Sequence, residues 1–338
     1  MLRLSDQMLQ SSDLKPSPRY EEFKSPDVDL IEAPFGFGGT DNLAQEGAHA
    51  LLAEREIARN LEAIGVKLKL IEAPALGPFE VHEEQKRVRN FDAIMTINNW
   101  LADTVKESIN KGHIPIVLGG DGSLCLGSVA GIIEDLGVAS KNELGIIWIS
   151  NHLQNSSPRV TKSWNANRMM FTAMTFSGDA KHKDFIGLMN FRNMGTPILL
   201  KKNIVHLGIN HKSAQEKAEH LFFTMEDIDE HGVSAITYQA LEALKFCKKI
   251  HVIWDVNSLD LSGVSNYSLG QMNYREALKI ARILDLELRR KGRLSSIDIV
   301  EHCPSREAWD KRGETAEWIT DIICNIFGEN IFNAARKY

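Results

Sequence analysis

The sequence is poor in cysteine: four residues in 338, Cys125, Cys247, Cys303 and Cys324, with no Cys-x-x-Cys pair. That spacing excludes a disulfide scaffold and a zinc ribbon. No apolar run approaches the roughly 20 residues that cross a bilayer, so no membrane association through a spanning helix is expected. The stretch from Met1 to Asp29 has no apolar centre of the kind a secretory signal needs. Positive charge is not in excess either. With 39 Lys+Arg against 45 Asp+Glu the formal charge is −6, which leaves no electrostatic footprint for nucleic acid. What is present is the composition of a soluble globular protein, 43% hydrophobic and 25% charged, expected in the cytoplasm. At roughly 150 residues per domain, the length allows one large domain or two average ones.

Residues 1–28, with Ser11, Ser12, Pro16, Pro18 and Pro26, read as an extended lead-in. From there the chain alternates between short runs rich in branched residues and longer amphipathic stretches. The runs at 114–118, 144–149, 204–209, 250–254 and 297–300 have strand length and lack polar alternation, as in strands buried on both faces. Helical patterns are expected over 46–64, 88–110, 213–221, 235–244, 274–291 and 313–326. This order predicts an α/β fold with a mainly parallel sheet. Ligands of such sheets sit beyond the carboxyl ends of the strands. The residues to read for chemistry are therefore Gly119 to Ser123, Ser150 to Gln154, Asn210-His211, Asp255 to Asp260 and Glu301 to Pro304.

In that order these segments resemble the arginase family of ureohydrolases. Val117-Leu118-Gly119-Gly120-Asp121-Gly122-Ser123 is similar to the family's Gly-Gly-Asp-His-Ser turn. Ile149-Ser150-Asn151-His152-Leu153-Gln154 resembles its Asp-Ala-His-Thr-Asp strand end, and Asp255-Val256-Asn257-Ser258-Leu259-Asp260 its Asp-Val-Asp-Gly-Leu-Asp segment. The resemblance spans about residues 29 to 328 in matching order. It implies a three-layer α-β-α fold around a mainly parallel, eight-stranded sheet, with 29–338 as one domain. It also implies a trimeric homo-oligomer.

The family's chemistry uses two manganese ions that deprotonate a water for attack on a guanidinium carbon. The resemblance places the six metal-ligand positions at Gly122, Ser150, His152, Gln154, Asp255 and Asn257. Only His152 and Asp255 keep a ligand side chain of the family. Glycine offers no donor atom, a neutral serine is a weak ligand, and Asn and Gln amides carry no charge. Four carboxylates become one and two imidazoles become one, so no metal cofactor is expected. The surviving pair with Asn257 leaves open a weak single-ion site, well short of the usual ligand set.

The substrate side departs in parallel. The proton-handling His of the family falls on Asn167, beside Trp164 and Arg168 in place of glycines. Its carboxylate-binding Asn falls on Ser156 and its amine-reading Asp, less securely, on Ser213. Ser163, Thr161 and Pro158 keep their types, and Glu301 matches the carboxylate that faces the guanidinium. The expectation is a catalytically inactive member of the family. Such a protein acts as a binding, regulatory or oligomerising subunit, with a small-molecule ligand of unknown identity. The alternative is a remodelled hydrolase of a guanidinium or amide C–N bond that uses no metal or one weakly held ion.

Plainer roles are expected elsewhere. His152 reads as a hydrogen-bonded pocket residue. Asp255 reads as a partner of His152 or an acceptor of backbone N–H groups, and Glu301 as a contact of a cation, Arg168 included. Gly36 to Thr40 has neither a Gly-Lys-Ser/Thr ending nor dinucleotide spacing, so it reads as a turn. His206 and His211 read as structural, and Cys125 and Cys324 as core thiols. His302 and Cys303, adjacent on an extended segment, point to opposite faces and make no dyad. Arg289, Arg290 and Lys291 read as a solvated helix end.

Overall fold

Branched apolar residues stacked without polar interruption can be buried on both sides only inside a sheet flanked by helices. The computed structural model builds that arrangement; it describes residues 26–40, 42–53, 56–75, 87–176, 181–210 and 220–328. Eight parallel strands run β1 Val28–Ala33, β2 Leu68–Glu72, β3 Ile114–Gly119, β4 Leu144–Ile149, β5 Ile204–Ile209, β6 Phe222–Thr224, β7 Lys249–Asp255 and β8 Leu294–Val300. Their order across the sheet is β2-β1-β3-β8-β7-β4-β5-β6. Every pairing is parallel.

Two apolar cores lie on the two faces, fed by alternate residues of each strand. Leu30, Ile116, Leu118, Ile147 and Ile149 join one core, with the helices Gln45–Ala53, Glu56–Ala63, Val233–Ala243, Tyr274–Leu284 and Glu314–Ile326. Ile31, Val117, Ile146, Trp148 and Ile253 join the other, under Phe91–Asn110, Cys125–Leu136, Met170–Thr175 and Lys183–Met189. The architecture is α/β with a parallel sheet, as the strand and helix patterning predicts, in three layers with eight strands, as the family resemblance implies.

The details differ from the sequence reading in places. The expected helix over 46–64 is two helices, and 88–110 starts its helix at Phe91. Helix Cys125–Leu136 and strands β1, β2 and β6 lie outside the patterns read from the sequence. Residue 28, placed in the lead-in, opens β1. The lead-in up to residue 25, Ser213, His211 and most of the expected helix 213–221 fall outside the described residues.

Arg289 corrects the reading of 289–291 as solvated. Helix Tyr274–Leu284 closes in a π turn, Asp285–Arg289, whose extra residue per turn carries the arginine inward. There its guanidinium pairs with buried Asp285 at 2.5 Å and donates to the Ile326 carbonyl at 2.9 Å. Asp285 also holds Arg282 at 2.6 Å and Arg290 at 3.0 Å.

His206 is structural, as expected. It is buried on β5, stacked on Trp148, and shares a 2.9 Å hydrogen bond with His220. Burial, and then the neighbouring ring, pushes the His206 pKa well below its ordinary value. His302 and Cys303 are both buried and make no dyad; the His302 ring lies 3.3 Å from the Gly47 carbonyl oxygen instead. Cys125 and Cys324 are buried core residues.

Candidate functional site

The sheet order gives the site its members. β3, β8, β7 and β4 are neighbours, so the residues following these four strands converge, although they stand far apart in the chain. β3 supplies Gly120 to Gly122, β8 supplies Glu301, β7 supplies Asp255 and Asn257, and β4 supplies Ser150, His152 and Gln154. They border or underlie a cavity of about 370 Å³, also lined by Gly39, Thr40, Asn151, Arg168, Asn266 and Arg306.

The turn after β3 has to be glycine-rich. A Cβ on Gly120 would sit 1.7 Å from the Phe35 carbonyl oxygen, so no other residue fits there. Gly122 differs: a Cβ there meets nothing closer than Glu301 Oε1 at 3.6 Å. This is space for a side chain that the sequence does not supply. Between these glycines Asp121 caps the short turn Gly122–Leu124, accepting from the Ser123 N–H at 2.8 Å. Its other oxygen accepts from the Gly38 N–H at 2.7 Å.

Asp255 closes β7 in the same way, its Oδ1 accepting from the Asn257 N–H at 2.9 Å. Its Oδ2 accepts from Ser150 Oγ at 2.9 Å and from Gln154 Nε2 at 3.3 Å. Gln154 Nε2 also donates to Ser150 Oγ at 2.8 Å. Glu301 accepts from the Gly122 N–H at 2.8 Å, from Asn167 Nδ2 at 3.2 Å and from Ser265 Oγ. All six oxygens of the three buried carboxyl groups therefore accept from the protein itself. The donors include the side chains of Ser150, Gln154 and Asn167.

Two of these residues hold unusual backbone. Gln154 has φ 47° and Glu301 φ 72°, the left-handed region that costs most residues energy and collects at functional sites. At both, the contacts described above hold the side chain in place.

Electrostatically, the cluster resists ionisation. Burial, and next the Glu301 charge, raises Asp255 to about 8 and Asp121 to about 7. Burial, with the Arg168 charge second, lowers His152 to about 4, so its ring is neutral at physiological pH. His152 meets Asn151 through Nδ1 and Asn266 through Nε2, the latter at 3.1 Å. The expected pocket role of His152 holds. Asp255 accepts backbone N–H, one of its two expected arrangements, while Glu301 meets Gly122, Asn167 and Ser265 in place of Arg168. Among the described residues no three His, Cys, Asp or Glu side chains are grouped as ligands of a metal ion.

Ser156 and Asn167 line the cavity with the others, whereas Ser163 sits on the exposed loop, bonded to Thr161 at 3.0 Å. Sequence reasoning missed Ser265 and Asn266, which reach the site from the long loop after β7. It also missed the Gly36 to Thr40 turn, which reads as plain yet binds Asp121 through Gly38. β1 is not among the runs read from the sequence, so the turn beyond its end is not taken as a strand end, and Ser265 and Asn266 lie on a loop well past β7.

A family model described as the arginase family matches residues 26–328. The arginase of Staphylococcus aureus (strain COL) is 30% identical over 321 residues, which cover 91% of this chain and 99% of that protein. Arginase-1 of Homo sapiens is 28% identical over 321 residues, with 89% and 90% covered. Among solved structures, the arginase of Bacillus caldovelox superposes with a TM-score of 0.77 at 22% identity, over 90% of this chain and 99% of that one.

Proposed function

The chain belongs to the arginase family, and on that premise we propose that it is a non-catalytic member whose former metal pocket binds a small molecule. The observation that carries this reading is the direction of the hydrogen bonds at Asp255. A cation between β4 and β7 needs oxygen lone pairs turned toward it. Here the Ser150 hydroxyl and the Gln154 amide present hydrogens to the carboxylate instead.

Two manganese ions do not fit this donor set. A hard divalent pair is held by several anionic oxygens, and the six ligand positions carry one carboxyl group and one imidazole. Gly122 contributes no donor atom. Without a metal-bound hydroxide, water is a poor nucleophile at neutral pH, and the neutral amide of Asn167 stands at the proton-handling position. Protein dialysed against excess Mn²⁺ and then desalted is expected to hold far less than one ion per chain and to release no urea from arginine. Stoichiometric manganese with steady urea production overturns the reading.

The same reading assigns the protein to the cytoplasm; no helix among the described residues is long and apolar enough to cross a membrane. Members of the family are generally oligomeric, and a trimer is proposed here. Light scattering at micromolar concentration is expected to return three times the 37.9 kDa chain mass, and a strict monomer removes this part of the proposal.

A further inference from the structure

The loops beyond the carboxyl ends of β4, β7 and β8 reverse the charge balance of the rest of the chain. Residues 155–168, 256–273 and 304–313 together hold six cations against three carboxylates, on a protein whose net charge is −6. The stretch 155–168 contains Arg159, Lys162 and Arg168 and no acidic residue. All three are exposed, and none makes an ion pair among the described residues. Arg87 joins them from outside, stacked on Trp164 at 4.4 Å. Of the three carboxylates Glu307 is already occupied, its oxygens accepting from the Gly313 and Thr315 N–H groups at 2.7 and 2.8 Å. Cations gathered at the mouth of a cleft raise the local concentration of anions.

The same loops expose apolar side chains. Val160, Leu269 and Trp309 are 75%, 77% and 79% exposed, and Tyr267 is 49% exposed. Hydrogen bonds tie the loops into one rim. Ser268, between Tyr267 and Leu269, accepts from Asn151 Nδ2 at 3.4 Å, and Arg306 donates to the Ser265 carbonyl at 2.6 Å. Val160 follows Ser156 by four positions and Trp309 follows Arg306 by three, and both Ser156 and Arg306 line the cavity. Scattered exposed apolar residues are ordinary, but several on one rim mark an interaction surface.

We propose that this rim docks an acidic peptide segment of a partner protein. Its carboxylates meet Arg159, Lys162 and Arg168, and its apolar side chains cover Val160, Tyr267, Leu269 and Trp309. Clustered cations recognise acidic motifs through charge-assisted hydrogen bonds. A nucleic acid fits less well. Bases stack on aromatic faces, which leaves aliphatic Val160 and Leu269 without a use, and a long polyanion runs off the rim onto a net-negative chain. The cations and apolar residues of the rim lie outside the six former ligand positions, so the inference does not depend on metal content or on the non-catalytic reading.

Fluorescence anisotropy of the full chain tests it with a labelled ten-residue peptide that alternates Glu or Asp with Leu or Phe. Two further peptides carry Lys in place of the acids, or Ser in place of the apolar residues, and a ten-nucleotide oligothymidylate is the fourth probe. The acidic-apolar peptide is expected to bind at least ten-fold more tightly than the other three, and several-fold more weakly when salt is raised. Arg159→Gln, Lys162→Gln and Arg168→Gln together are expected to weaken it ten-fold or more. Leu269→Ser with Trp309→Ser is expected to do the same, since buried aromatic anchors dominate such contacts. Phe246→Ser removes a side chain that is 84% exposed before β7, at the opposite end of that strand, and is expected to change nothing. Melting temperatures equal to the parent's show that the variants are folded. No binding of the acidic-apolar peptide overturns the inference. So does equal binding of the Lys or Ser peptide, tighter binding of oligothymidylate, unchanged affinity in the rim variants, or an equal loss in Phe246→Ser.

Discussion

Gly122→His, Ser150→Asp, Gln154→Asp and Asn257→Asp, introduced together, are expected to make the stability of this protein depend on manganese. The fold leaves room for the change. A side chain at position 122 starts into open space, and the left-handed backbone at position 154 suits Asp better than Gln. Without metal the variant crowds three new carboxylates against Asp255, Asp121 and Glu301 in a buried site. Like charges that cannot escape to water cost several kcal/mol, so the metal-free variant should melt well below the parent. Manganese converts the same repulsion into ligation. At one hundred times the dissociation constant, binding adds about 2.7 kcal/mol, or a rise of about 4 °C in melting temperature. Calorimetric melting with and without Mn²⁺, beside the parent as control, reads the effect. A folded variant that takes up no manganese shows that these strand-end positions are not the ligand positions. Turnover of arginine is not expected to return, since Asn167 and Ser156 are unchanged.

Asp255→Asn is expected to stabilise the protein at alkaline pH. Burial and the Glu301 charge lift Asp255 to about 8 from an ordinary 3.8. A carboxyl group whose pKa rises on folding contributes stability in full below its unfolded value. That contribution is lost as pH rises from about 4 through about 8, because the unfolded chain releases its proton first. At pH 8.5 the parent therefore carries a penalty on the order of a few kcal/mol, since each pH unit separating the folded and unfolded values is worth roughly 1.4 kcal/mol. The amide carries none, and Ser150 and Gln154 can reverse their donor and acceptor ends around it. Denaturant midpoints at pH 5 and pH 8.5 should show a small gain for Asp255→Asn at the lower pH and a much larger one at the higher. A loss of stability at pH 8.5 shows instead that the carboxylate is ionised and needed.

Much of the fold is legible in the sequence. β3, β4, β5, β7 and β8 are buried along their length, and unbroken branched runs announce such strands. β2 sits at the sheet edge, half exposed, and reads Leu-Lys-Leu-Ile-Glu. β6 is three residues long, too short to carry a period. Helix Cys125–Leu136 escapes a reading by pattern for a different reason. Buried from Cys125 through Ile133, it has no polar face to mark its turns. In the site, the residues on strand ends can be found because ligands of parallel sheets gather there. Ser265, Asn266 and Gly38 arrive on loops, whose path depends on packing that local sequence does not encode.

The strand order carries one more consequence, for how the chain is made. β8 is the last strand in the sequence, yet it fills the slot between β3 and β7. Until residues 294–300 have left the ribosome, β2-β1-β3 and β7-β4-β5-β6 are two half-sheets that each present an open edge. Such edges are templates for pairing with other chains, and nascent chains meet them in crowded surroundings. The hydrogen bond from Gly122 to Glu301 reaches across 179 positions, so the pocket cannot close before Glu301 is made. A ribosome stalled short of β8 holds a chain that needs a chaperone more than it needs a ligand.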